Sequence, residues 1–233
     1  MKTIGLLGGM SWESTVSYYR YLNEGVKARL GGLHSARIIL VSVEFGEIEA
    51  LMREGRWDEM VDILGLAARR VEAAGADFLL LCTNTIHSVA HRIQAVVNIP
   101  LLHIADATAA AIRSNGYRRV GLLGTQFTME ADFFKDRLAQ PYGIKTIIPE
   151  AADRETVHRI IFDELCRGRI EADSRRAYLR IIEALGSRGA EAVVLGCTEI
   201  ALLVSPDQTE IPLLDTTRIH ADAALAEALE GGH

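Results

Sequence analysis

Short apolar runs that end in glycine or a polar residue alternate along the chain with longer segments in which apolar positions recur every three to four residues. The first pattern suits strands buried on both faces and the second suits amphipathic helices. Their alternation predicts an α/β protein with parallel strands joined by crossover helices. Strands are predicted at residues 3–7, 37–43, 77–81, 101–103, 119–123, 145–148, 191–195 and 212–214. Helices are predicted over 11–29, 58–74, 106–113, 130–138, 154–166, 173–185 and 216–229, the first opened by Ser11 and stopped by Gly31-Gly32.

The pattern then repeats itself. AGADFLLLCTNTI, residues 74–86, aligns without a gap on RGAEAVVLGCTEI, residues 188–200, with Gly75 on Gly189, a shift of 114 residues. Ile4-Gly5-Leu6-Leu7-Gly8 returns as Val120-Gly121-Leu122-Leu123-Gly124, and Ile99-Pro100-Leu101-Leu102 returns as Ile211-Pro212-Leu213-Leu214. Three blocks in one order at nearly constant offset indicate two fused copies of a domain, since a solenoid repeats every ~20 to 50 residues. The expected lobes are 1–103 plus 216–233 at the N-terminal side and 104–215 at the C-terminal side. Each has about four strands, and they are related by pseudo-twofold symmetry with the active site between them. No Ser/Pro-rich linker separates them.

Composition narrows the partners. With 49% apolar side chains in 233 residues, the chain can bury two small cores. Its net charge of −6 is spread along the sequence, leaving no basic stripe for nucleic acid and no polybasic membrane anchor, so a small metabolite is the expected partner. No apolar run approaches the ~18 residues of a membrane span, and MKTIGLLGG is unlike a signal peptide, which together predict a cytoplasmic location. Cys82, Cys166 and Cys197 are too few for a disulfide framework, and no CxxC pair points to zinc; free thiols and no metal are expected.

In parallel sheets, ligands bind beyond the carboxyl ends of the strands. Four polar blocks fall there: Gly8-Gly9-Met10-Ser11, Cys82-Thr83-Asn84-Thr85, Gly124-Thr125-Gln126 and Gly196-Cys197-Thr198-Glu199. The repeat sets Thr83 opposite Cys197 and Cys82 opposite Gly196, which describes a two-sided site with a hydroxyl on one side and a thiol on the other. Gly5, Gly8 and Gly9 read either as a tight strand-to-helix turn or as an anion cradle; they lack the GxGxxG spacing of a dinucleotide site. Cys197 lies where a helix begins, and helix N–H groups lower a thiol pKa from its usual value of about 8.5, so a useful thiolate fraction is expected at neutral pH. The Thr83 hydroxyl is a far weaker acid, suited to donating or relaying a proton. Cys166, within a predicted helix, reads as structural, and Cys82, within an apolar run, reads as structural or reactive. His87, His91 and His103 form no recognisable ligand set and suit surface or capping roles, with His87 also placed to polarise the Thr83 loop. Glu47, Glu49 and Glu54 suit a solvated helix face.

LLLCTNTIH, VVLGCTEIA and the opening IGLLGGMSWEST resemble the aspartate/glutamate racemase superfamily. They are most similar to its bacterial branch of L-aspartate/glutamate-specific, broad-specificity racemases with threonine in place of the first catalytic cysteine. The resemblance covers essentially the whole chain. It implies two Rossmann-like lobes around an amino-acid substrate, a homodimer, no cofactor and no pyridoxal phosphate, and α-proton exchange by one group from each lobe. It also implies that Cys197 and Thr83 are catalytic, that Asn84, Thr85 and Thr198 hold the substrate carboxylate and amine, and that Met10 neighbours them in the first loop. Thr125, after the fifth strand, joins this substrate-binding set by position. Arg53 and Arg167 are the positional candidates for a cation facing an acidic side chain, Arg167 being the one placed in the set. The family's usual Cys-Asn-Thr appears here as Thr83-Asn84-Thr85, and Cys82, one residue early on a strand, faces the opposite way. The same fold and thiol chemistry also serve hydantoin racemases, decarboxylases and maleate isomerases, and a non-catalytic amino-acid-binding protein is the alternative outside enzymes.

Overall fold

The computed structural model describes residues 1–230. The chain runs β1 (Ile4–Gly8), α1 (Trp12–Leu30), β2 (Ile38–Ser42), α2 (Phe45–Arg53), α3 (Trp57–Ala73), β3 (Phe78–Leu81), a 3-10 turn at Thr85–Val89 and α4 (Ala90–Gln94). It continues through α5 (Ile104–Ser114), β4 (Arg119–Gly124), α6 (Gln126–Glu130), α7 (Asp132–Ala139), β5 (Lys145–Ile147) and α8 (Ala151–Asp163). A 3-10 turn at Leu165–Arg167, α9 (Ala172–Ser187), β6 (Ala192–Gly196), α10 (Ile200–Leu203), β7 (Leu213–Asp215) and α11 (Thr216–Leu229) complete it. The chain divides into two compact units, one of residues Met1–Ile104 together with those from His220 onward, the other of Ala105–Ile219. Residues 231–233, the end of the N-terminal lobe predicted above, lie outside the described residues.

In the first unit a parallel sheet has the order β2-β1-β3. Alternate residues of its strands feed two cores. Leu7, Leu79 and Leu81 pack with Ile48 and Leu51 of α2 and with Met60, Leu64 and Val71 of α3. Ile4, Leu6, Phe78, Leu80 and Cys82 pack with Tyr18, Leu22 and Val26 of α1 and with Ala221, Ala224 and Leu225 of α11. A sheet covered on both faces explains the uninterrupted apolar runs, and each fully buried Leu, Ile or Phe contributes roughly 1.5–3 kcal/mol. Helix α2, absent from the predicted helices although Glu47 and Glu49 of the expected helix face lie on it, buries Ile48 and Leu51 and packs Phe45 and Met52 on the same core; Glu44 starts it, its carboxylate accepting from the Gly46 and Glu47 amides at 3.0 and 2.7 Å.

The second unit repeats the topology as a parallel sheet of order β5-β4-β6-β7. Leu123, Val193 and Leu195 pack with Val157, Ile160 and Ile161 of α8 and with Tyr178, Ile181 and Leu185 of α9. Gly121 pairs with Val193 as Gly5 pairs with Leu79, so the sequence repeat is a structural repeat.

The copies differ at the fourth strand. In the second unit β7 pairs over three residues, ending at Leu195 opposite Asp215. In the first, the fourth strand predicted at 101–103 shrinks to a single parallel bridge between Leu79 and Leu101. The Leu79 amide donates to Pro100 O and the Leu102 amide to Leu79 O, each at 2.9 Å, so the next step would pair Leu81 with His103. At that point two side chains engage the edge segment. The Leu102 carbonyl accepts from His220 Nε2 at 2.9 Å, and the Ile104 amide donates to His87 Nε2 at 3.2 Å as α5 begins.

Candidate functional site

In the first unit the β1–α1 connection folds tightly on itself. Gly9 has φ +93°, and a Cβ there would stand 2.2 Å from the Val43 carbonyl oxygen, so only glycine lets the chain pass the end of β2. Its amide donates to Thr15 Oγ1 at 2.8 Å in buried surroundings, and Ser11 caps α1 by accepting from the Ser14 amide at 3.4 Å. The glycine block thus forms a tight strand-to-helix turn. Met10 is buried in the core beside Leu7, Ile48 and Leu51.

At the end of β3 the thiol and the hydroxyl differ in burial. Cys82 is wholly buried with Leu80 and Phe78 against α1 and α11, and burial pushes its thiol far above the ordinary range. Its amide donates to Leu7 O at 2.9 Å and its carbonyl accepts from Ser14 Oγ at 2.9 Å. Thr83, the next residue, is half-buried, and its carbonyl is bonded to His87 Nδ1 at 2.7 Å. Asn84 and Thr85 are both buried.

In the second unit Gly196 ends β6 where Cys82 stands in the first. A Cβ on Gly196 would meet Leu122 Cδ1 and the Leu123 carbonyl at 2.9 Å, which keeps this position to glycine and leaves Cys197 as the only thiol of the motif. Cys197 belongs to the core face of Val193 and Leu195. Its Sγ–H donates to Glu199 Oε2 at 3.0 Å, and Thr198 Oγ1 donates to the same oxygen at 2.7 Å. Glu199 is 4% exposed, so a buried carboxylate sits directly on the thiol.

The acidified thiol expected from the sequence is not what the structure holds. Burial, then the negative charge of Glu199, push Cys197 well above its ordinary value. The four-residue helix α10 that follows is too short to offset them. Cys197 therefore rests as a thiol whose hydrogen bond is directed at the Glu199 side chain. Burial also raises the Tyr178 hydroxyl, with Cys197 the next contributor, and that hydroxyl donates to Val157 O at 3.2 Å.

The other predicted residues are placed as follows. Thr125 caps α6, Oγ1 accepting from the Thr128 amide at 3.2 Å. Arg167 is exposed, its guanidinium 3.9 Å from Asp163, and Arg53 is exposed at the end of α2. Thr198 spends its hydroxyl on Glu199. The sequence reading missed Glu199 as a partner of Cys197, and missed Asp215, whose Oδ1 accepts from the Thr217 and Arg218 amides at 2.9 and 3.3 Å and whose carboxyl is pushed up by burial. The repeat was the available signal for both. It sets Glu199 on Thr85 and, with Pro100 on Pro212, Asp215 on His103. Among the described residues no group of three His, Cys, Asp or Glu is arranged to hold a metal, and no helix is long and apolar enough to cross a membrane.

Comparison with known proteins places the whole chain. A family model described as Asp/Glu/Hydantoin racemase matches residues 7–224. The broad specificity amino-acid racemase RacX of Bacillus subtilis (strain 168) is 24% identical over 179 residues, 74% of each protein. Among solved structures, a putative Asp/Glu racemase from Yersinia pestis is 52% identical, covers 99% of this chain and 100% of its own, and superposes with a TM-score of 0.92. An aspartate racemase homologue from Pyrococcus horikoshii OT3 is 34% identical, with 99% and 100% coverage and a TM-score of 0.87.

Proposed function

Because the chain belongs to the Asp/Glu/hydantoin racemase family, whose model spans most of its length, we propose that it interconverts L- and D-aspartate or glutamate by removing and returning the α-proton, without a cofactor. The broad specificity amino-acid racemase and the aspartate racemase homologue among its relatives guide the choice of substrate. The observation that carries the mechanism is the 3.0 Å Cys197–Glu199 hydrogen bond at the repeat position opposite Thr83. We take the enzyme to act in the cytoplasm as a homodimer.

Inversion at Cα needs a base on one face and an acid on the other, because a single group returns the proton to the face it left. In this reading Glu199 takes the Cys197 proton as substrate binds, and the thiolate removes the α-proton of the L-enantiomer. Cys197 is then a thiol again and Glu199 a carboxylic acid. Thr83, or a water it holds, gives a proton to the opposite face, and solvent carries the Glu199 proton back to the Thr83 side. Asn84, Thr85 and backbone amides at the strand ends stabilise the enolate-like carboxylate, while Met10, Thr125, Thr198 and Arg167 complete the proposed substrate-binding set.

Proton NMR of L- and D-aspartate and glutamate in deuterium oxide tests this directly. The α-proton of the L-enantiomer is expected to wash out faster than inversion proceeds, since a good base faces it and a poor acid faces the other side. Equal washout from both enantiomers would refute the assignment of faces, and full activity in Cys197→Ser would refute the base. A second reading, a related cysteine enzyme acting on a neutral substrate, is favoured by the exposed positions of Arg53 and Arg167. It predicts no exchange from either acidic amino acid.

A further inference from the structure

Beside Thr83 lies a buried cluster that the proton transfers do not use. His87, His103 and His220 are each no more than 8% exposed, and Tyr18 is wholly buried. The His87 ring stands edge-on to His103 with centroids 4.6 Å apart, and to His220 at 5.7 Å. His220 bridges the Tyr18 hydroxyl, 2.8 Å from Nδ1, and the Leu102 carbonyl, 2.9 Å from Nε2.

The protonation of His87 follows from its neighbours. The Ile104 amide can only donate, so His87 Nε2, 3.2 Å away, must accept and carries no proton. The remaining ring proton is on Nδ1, which donates to the Thr83 carbonyl at 2.7 Å. His87 is thus a neutral imidazole with a defined tautomer. It joins the peptide after Thr83 to Ile104, the last residue of the first unit before the chain enters the second.

The peptide before Thr83 is anchored as well, by Ser14 Oγ on the Cys82 carbonyl. Thr83 therefore sits between two peptides whose carbonyls are each held by a side chain from another turn. The second copy has no such device: the 114-residue shift sets Ala201 where the first has His87, and there the chemistry-bearing residue is partnered through its side chain, by Glu199.

We infer that His87 is a positioning residue for Thr83, clamping the Thr83 carbonyl to the Ile104 amide so that the hydroxyl side of the site is fixed in place. A hydroxyl has no pKa match to neutral pH, so its usefulness as a proton donor depends on placement more than on acidity. A displacement of ~1 Å can cost about a hundredfold in rate. The inference rests on the racemase reading and adds to it what holds its weaker half.

The test uses His87→Leu, which removes both bonds, and His87→Asn, whose side-chain amide nitrogen reaches as far as Nδ1 and keeps the bond to Thr83. Interconversion is expected to fall about a hundredfold in H87L and by less, about tenfold, in H87N, which keeps the bond to Thr83 but loses the anchor on Ile104. Deuterium washout of the L-enantiomer's α-proton, which needs Cys197 and Glu199 but not Thr83, is expected to hold within about twofold in both. If washout and interconversion fall together in H87L, the role is merely structural and the inference fails; it also fails if H87L racemises like wild type. Nitrogen-15 NMR of the histidine rings gives a readout that does not need activity: His87 is expected as the neutral Nδ1–H tautomer, and an Nε2–H tautomer or an imidazolium at neutral pH overturns the clamp. A wild-type protein that exchanges no α-proton at all sinks the racemase reading itself, a result distinct from an active wild type whose H87L variant loses both reactions.

Discussion

Acidification should weaken the fold through His220. The ring is fully buried and both nitrogens are committed, Nε2 donating to the Leu102 carbonyl at 2.9 Å and Nδ1 accepting from the Tyr18 hydroxyl at 2.8 Å. A second ring proton on Nδ1 would force the Tyr18 hydroxyl to turn from donor to acceptor and would leave a positive charge in wholly buried surroundings. Burial, helped by His103 and opposed by the Leu102 carbonyl, lowers the His220 pKa from 6.5 to about 4. Below pH 6.5 the unfolded chain binds this proton and the native chain does not, so stability present above 6.5 is lost as pH falls towards 4, with no further loss from this residue beneath that. At about 1.4 kcal/mol per pH unit the loss approaches ~3 kcal/mol, a large share of the ~5–15 kcal/mol that holds a typical domain together. Urea unfolding of wild type and His220→Gln between pH 7.5 and 4 isolates it, because titrating carboxylates such as Glu44, Glu59 and Glu130 are common to both proteins. The stability difference between them should shrink by about 3 kcal/mol over that range. A difference that stays flat, or changes only below pH 4, would refute the assignment of a buried neutral imidazole.

Three further outcomes follow from the site geometry. Thr83→Cys, which gives the hydroxyl side a thiol, should raise interconversion, measured by chiral chromatography of the amino acid. Glu199→Gln keeps the shape of a buried side chain but removes the proton acceptor on Cys197, and should slow L-substrate α-proton washout by about 10²–10⁴-fold. Cys82→Ala should leave washout unchanged, while Cys82→Ser, which puts a hydroxyl into a wholly buried apolar cluster, should cost about 1–3 kcal/mol in thermal or chemical unfolding without altering the reaction.

Most of the architecture was legible because it rests on local alternation and on an internal repeat, both properties of sequence alone. Runs such as Leu79-Leu80-Leu81 are uninterrupted because helices cover both faces of the sheet, and Cys82 continues the buried face of Phe78 and Leu80. What escaped were features set by distant partners. Helix α2 has only nine residues, so Phe45, Ile48, Leu51 and Met52 write barely two turns of a period, and a carboxylate cap sets where it begins. The fourth strand of the first unit is cut short by His87 and His220, one 17 residues and the other 118 residues from its bonding partner. The thiol pKa was misjudged for a related reason: position after a strand suggests exposed helix amides, whereas burial and a carboxylate two residues on decide the sign.

That misjudgement alters the account of the two-sided site. If Cys197 rested as a thiolate, its task would be done before substrate arrived and Thr83 alone would limit the reaction. In the proposed mechanism, with Cys197 a thiol on Glu199, each of the two groups has to be primed, one by moving a proton over 3.0 Å and the other by holding a hydroxyl in place. Yet L- and D-enantiomers have equal free energy in water, so kcat/KM must be the same in both directions for any true racemase, however unequal its two acids. The asymmetry between Cys197 and Thr83 can therefore show itself only inside the cycle, as a difference between exchange and inversion, and never as one-way conversion. An apparent preference for L-substrates in this chain should disappear when both enantiomers are followed to equilibrium, while the excess of L-side washout over inversion should persist.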